Sequence, residues 1–337
     1  MARKNYKPET IIDKVESHYE ATEPLRNRMD KDYSLYRLDP YDAGDGYQSY
    51  TSNEPSTYAD KIISFVVGSE MVARIPNVSE NEDDRDANNM KERFFLGALR
   101  SADERIKKAS MPSIKSQIGW YICMRGWYAG RALLIKDDED NTYVDITPWD
   151  PMHTYWSAGT DGLEWACYKI KKSKELVEAQ YNIKLPRNEQ YDDEDWIDVY
   201  DYYDKEMNTV VLSNGRVAKK PTPHGSPRVP VFLGPVGSAP MIQALNDMTP
   251  IDDTIADYGE SIFKHNRENY EKNNLMMSIM LELTARARRQ GLKIRSRDGM
   301  KTLDEDPYKE GTEISLAQGE DIEPLGLMEV ARETGAF

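Results

Sequence analysis

Apolar positions recur at helical spacing through roughly the first third of the chain, then switch to alternation. Thr10 caps a predicted helix with Ile11, Ile12, Val15 and Tyr19 on one face. Thr22-Glu23-Pro24 restarts it, and Leu25, Met29, Tyr33, Tyr36 and Leu38 carry the stripe to Asp39-Pro40. Residues 39–53 read as a polar loop; Asp39, Asp42 and Asp45 lack the spacing and the twelfth-position acid of a calcium loop. Pro55 opens a helix through Ser69, and residues 71–75 read as a short strand ended by Pro76. Ser79 caps a long charged helix to about Ala109. Its apolar face, Met90, Phe94, Phe95, Ala98, Leu99 and Ile106, is narrow. Pro112 starts a helix that is apolar most of the way round, expected to be central to the core and to end at Gly130.

The period then drops to two. Residues 131–136 and 142–147 predict a hairpin around the acidic turn at 137–141. Trp149-Asp150-Pro151 leads into a loop at 153–156 and a strand at 163–170. Ser173 caps a helix to about Asn182. Strands follow at 196–203 and 209–212, and a proline-rich connector ends in a short apolar run at 229–233. Thr249-Pro250 then opens a predicted helix, with Asp252, Asp253 and Asp257 at its positive pole. Ile251, Ile255, Tyr258 and Ile262 form a thin seam that needs a neighbouring copy to cover it. Residues 264–274 read as a polar neck. A second helix, with Leu275, Met276, Ile279, Met280 and Leu283, runs to Gly291, and short strands are expected at 292–296, 312–316 and 322–325.

Composition narrows the function. Charged residues are 31% and hydrophobic residues 39% of the 337, as expected of a soluble protein. The apolar run at 62–67 is far too short to span a bilayer, so no membrane association is expected, and MARKNYKPET has no apolar core, so no signal peptide is expected. Cys123 and Cys167 read as buried free thiols. Net charge is −15, which argues against general DNA binding. One island runs the other way: Arg286, Arg288, Arg289, Lys293, Arg295, Arg297 and Lys301 face only Asp298. These residues either complement the helix end and pair with acids such as Asp304, Glu305 and Asp306, or face a partner. No phosphate-binding loop, nucleophile elbow or paired-cysteine motif is present, and the four histidines stand apart. No enzyme activity and no cofactor are expected. A metal-dependent hydrolase built on acids such as Asp137 and Asp150 is one alternative, and another virion or scaffold adaptor protein is a second.

The order of elements carries a resemblance. Tyrosine-rich helices precede the Asn53-Glu54-Pro55 helix start; an aromatic helix runs into Gly130 and a strand; a hairpin reaches Asp150-Pro151. Further hairpins surround VYDYYDKE at 199–206, then come Pro-Val-Phe at 230–232 and the paired helices with a β unit. Over most of its length this organisation resembles the portal, or head-to-tail connector, proteins of tailed bacteriophages. The resemblance implies an α+β fold: a mixed helical and antiparallel β wing-like body at 1–236, a first stem helix region at 237–271, a clip-like helix plus strands at 272–327 and the start of a second stem helix at 328–337. The chain is expected to be truncated before the rest of that stem and the crown. The resemblance also implies a homo-oligomeric ring, usually a dodecamer, at a capsid vertex of the virion, assembled in the host cytoplasm. Its partners would be double-stranded DNA in the channel, the terminase motor, the major capsid and scaffolding proteins, and tail adaptors. The basic cluster would then face DNA or partners from the clip, and the Ile251–Ile262 seam would join subunits.

Overall fold

The computed structural model describes residues 6–44, 47–76, 82–136, 140–185, 196–237, 258–288, 292–296, 299, 303 and 314–324. Among these residues the fold is α+β, with seven α-helices and antiparallel sheets. The chain divides into two compact units: Met1–Arg37 with Glu54–His265, and Leu38–Asn53 with Asn266–Phe337.

The first unit begins with four helices: α1 (Pro8–Ala21), α2 (Glu23–Arg37), α3 (Glu54–Gly68) and α4 (Glu82–Lys108). Helix α5 (Ile114–Arg125) starts where Ser113 accepts a hydrogen bond from the Ser116 amide. It ends at Gly126, whose φ of 70° is left-handed. The expected stop at Gly130 is therefore corrected: Trp127 and Tyr128 already belong to strand β1 (Trp127–Lys136). Gly130 lies within β1, against the Phe232 ring. Both glycines are compatible with a stop, and burial of Trp127 at the sheet end selects the earlier one.

Strand β1 pairs with β2 (Thr142–Pro148) as the predicted hairpin. Its other edge pairs with β8 (Val231–Pro235), giving the order β2-β1-β8. The second sheet runs β3 (Thr154–Gly159), β4 (Gly162–Ser173), β5 (Trp196–Asp204), β6 (Met207–Leu212) and β7 (Val217–Pro223), each antiparallel to the next. The segment at 154–156, expected as loop, is the start of β3 because it pairs with β4. Helix α6 (Lys174–Tyr181) has Ser173 as its cap and ends at Asn182 in the left-handed region, as its sequence predicts.

Alternation on β5 explains how this sheet is covered. Tyr200 and Tyr202 pack with Ile11 and Val15 of α1, while Ile197 and Val199 pack with Val177 of α6. Farther along the α6 side, Tyr203 meets Trp149, Ala129 and Val231 between the two sheets. Arg131 ties the sheets together: it donates to the Tyr203 hydroxyl at 2.9 Å and pairs with Asp145 and Asp201. Burial pushes the Asp201 carboxyl up, against the opposing pull of Arg131 and Asn208.

Helix α1 also brings His18 into an aromatic box, 4.5 Å from the Trp156 ring and 5.8 Å from the Tyr155 ring. Burial, with Arg26 nearby, lowers its pKa to about 4. The unfolded chain therefore binds the extra proton. Stability is full above the unfolded value of about 6.5 and is lost as pH falls toward 4. Moving from pH 7.5 to 5.0 is expected to cost about 2 kcal/mol through this group. Urea denaturation at both pH values, on the parent and on His18→Gln, checks this; an identical pH slope in both proteins refutes it.

In the second unit, α7 spans Arg267–Arg288 and precedes the antiparallel pair of β9 (Leu292–Arg295) and β10 (Asp321–Pro324). The expected polar neck at 264–274 is corrected: from Arg267 onward it is the beginning of α7. Its polar side chains serve the unit itself. Asn274 accepts from the Ser52 amide and Ser278 from the Tyr50 amide, both at 2.9 Å, so the helix holds the 38–53 loop. A helix so used needs no continuous apolar stripe. The strand expected at 312–316 is not formed over its described residues, 314–316.

Candidate assembly surface

The seam placed on a stem helix meets a different local structure. Ile251 and Ile255 lie outside the described residues. Residues 258–266 form bends and turns, so Tyr258 and Ile262 are not on a helix. Their backbone is held within the first unit. Trp127 Nε1 donates to the Tyr258 carbonyl at 2.6 Å, the Ile262 amide donates to the Cys123 carbonyl at 3.0 Å, and the Glu260 amide donates to the Val236 carbonyl at 3.1 Å. Phe263 is fully buried. The four-three-four spacing suggested a helix, but tertiary hydrogen bonds to α5, β1 and the end of β8 take the place of helical ones.

Arginines hold this segment. Arg28 of α2 donates to the Gly259 carbonyl, to the Arg125 carbonyl at 2.7 Å and to Glu260 at 3.2 Å. The Ser261 hydroxyl donates to Asp32 at 2.7 Å. Arg125, in the last turn of α5, forks onto both Asp150 oxygens at 3.1 and 3.0 Å and donates to the Met29 carbonyl at 3.0 Å. Asp150 also accepts from the Met152 amide at 2.9 Å, capping the short 3-10 turn at Pro151–His153. These bonds fix the direction of α5, and with it the surface that α5 shares with α3 and α4.

Among the described residues that surface is apolar and uncovered. On α3, Phe65 is 67% exposed; after it Met71 and Val72 are exposed in a segment with no regular structure. The strand expected at 71–75 is corrected here: among the described residues no strand pairs with it, and the Ile75 amide is satisfied by Glu92 of α4 instead. Helix α4 presents its narrow apolar face to the outside over its first half. Met90 is 73%, Phe94 68% and Phe95 52% exposed. Buried residues begin only at Ala102, and the helix is anchored near its end by Arg105, which donates to the Val144 carbonyl.

Two apolar grooves flank the α3–α5 contact. One, of about 670 Å³, is lined by α3, the 69–72 segment, Phe95 and Leu99 of α4, the Ile114-Ile118-Ile122 row of α5, and Phe232. The other, of about 740 Å³, lies among Ile63, Val67, Met111, Pro112, Trp120 and Tyr121. The lining of neither groove contains a cluster of acids or histidines. A charged helix with so thin a seam was the signal available in the sequence that this face could stay uncovered.

The basic cluster is only partly described. Lys293 and Arg295 stand on the exposed face of β9, directly across from Glu323 and Asp321 of β10. This cross-strand register offsets their charge with acids other than the three expected. Arg286 and Arg288 lie in the last turn of α7, with side chains outside the described set, as are Arg289, Arg297 and Lys301. Of the acids weighed as metal ligands, Asp137 lies outside the described residues and Asp150 is held by Arg125. Among the described residues, no group of three or more His, Cys, Asp or Glu is placed to hold a metal ion. Both cysteines are buried and free. No described helix is long and apolar enough to cross a membrane. Compared with known proteins, the chain matches no family model and no curated sequence.

Proposed function

We propose that the chain is a bacteriophage portal subunit. Copies form a closed ring at one capsid vertex, conduct double-stranded DNA during packaging and ejection, and offer a docking platform to the terminase motor and tail adaptors. The observation that carries this reading is the uncovered apolar surface of α3, the 69–76 segment and α4. Contiguous apolar patches beyond roughly 300–600 Å² are uncommon on monomers and mark association sites. Eight large side chains lie in this one stretch of chain, each between 37 and 73% exposed. The element order agrees, with a helical and antiparallel body followed in sequence by a long helix and an antiparallel strand pair. So does the net charge of −15, because a channel held to phosphate by many cations would grip DNA rather than pass it.

Native mass measurement and end-on electron micrographs of the purified chain test the proposal. Closed rings with an axial hole are expected. A chain that stays monomeric across protein and salt concentration overturns it.

A further inference from the structure

Resting on the ring reading, the geometry points to the contact that joins neighbouring copies: the Met90-Phe94 ridge of α4 on one copy enters the α3–α5 groove of the next. Met90 and Phe94 are four residues apart, so they stand one above the other on α4. They are its most exposed apolar side chains among the described residues, and neither lines either of the two grooves described above. The groove of about 670 Å³ takes its α4 wall from Phe95 and Leu99. At about 100° per residue those two lie roughly 140° around the helix from the ridge. The ridge therefore points away from the groove of its own chain and cannot close it. A second copy, presenting the same ridge, can.

Area supports the same occupant. The ridge together with Phe65, Met71, Val72 and Phe95 exposes on the order of 600 Å² of apolar side chain. In a head-to-tail junction each copy contributes its ridge to one neighbour and its groove to the other. Each junction then gains the apolar centre of a standard interface, which buries about 1,600 Å² in total with a polar rim. Because the two surfaces differ, the contact is heterologous, and repetition closes a ring or runs on as a filament. A ridge-to-ridge contact would instead stop at a dimer.

Cysteine crosslinking of the full chain distinguishes these outcomes. Native Cys123 and Cys167 are buried, so background reaction with a short bismaleimide is low. Phe94→Cys and Val72→Cys are made singly and together, both at exposed positions that leave folding intact. Mixing the two single variants is expected to give crosslinked dimers that neither gives alone, and the double variant a ladder ending at the ring. Phe94→Asp is expected to weaken association about tenfold or more, with an unchanged melting profile. Crosslinking of Phe94→Cys with itself overturns the head-to-tail contact. Rings that form without any ridge-to-groove crosslink overturn this inference and leave the portal reading standing. A ladder that never closes keeps the contact and overturns the ring. A monomer with no crosslink overturns both.

Discussion

Arg125→Ala is expected to destabilise the first unit by about 3–5 kcal/mol, the usual cost of removing one partner from a buried pair. The guanidinium side chain is 5% exposed, and that of Asp150 is 17% exposed. The change removes the fork onto Asp150 and the bond to the Met29 carbonyl, and takes a cation from beside the Trp120 and Tyr33 rings, 5.4 and 5.3 Å away. Lysine cannot reproduce two parallel bonds, so Arg125→Lys is expected to recover less than half of the loss. Asp150→Asn added to Arg125→Ala should cost less than the sum of the single changes, because the uncompensated charge is gone. Urea denaturation of the parent, the three single variants and the double variant measures this. An Arg125→Ala variant within 1 kcal/mol of the parent would show that the pair does not hold α5 in place. Because α5 lines the grooves, the same variant is expected to assemble poorly at temperatures where the parent forms rings.

Gly126→Ala is expected to cost about 3 kcal/mol or more. Two effects add. The φ of 70° is left-handed, which costs a non-glycine residue about 1 kcal/mol. A Cβ there would also stand 2.5 Å from the Glu260 carbonyl carbon and closer still to the Gly259 oxygen. Backbone on both sides has little room to yield. The Val236 amide bonds the Gly126 carbonyl at 2.7 Å, and Trp127 holds the Tyr258 carbonyl next to Gly259. Gly215→Ala is the control: its φ is 77° but its Cβ would meet open space, so only the conformational cost of about 1 kcal/mol is expected. Comparing the two denaturation midpoints isolates the packing component. Equal losses would show that residues 258–263 shift freely to admit a methyl group.

Several elements were readable directly from the chain. The β1–β2 and β5–β6 hairpins follow from period-two patterning around polar turns. Helix α6 follows from Ser173 and Asn182 at its ends. The central place of α5 follows from its all-round apolarity: it contributes Ile114, Cys123 and Met124 to the core. In each case a few adjacent residues hold the whole signal, because turn geometry and capping are satisfied locally.

The sequence by itself determined an acidic α+β chain, its hairpins and the helix caps. Only the tertiary structure decided which stripes are covered. The spacing of Met90, Phe94 and Phe95 defines a face, but whether that face is core depends on a neighbour, and α4 is held mainly near its C-terminal end. The spacing of Tyr258 and Ile262 is equally compatible with a helix, yet β8, α5 and Arg28 offer that backbone better partners. Periodicity states which residues share a side. Burial is a property of two surfaces, and the second lies far away in the chain or on another copy of it.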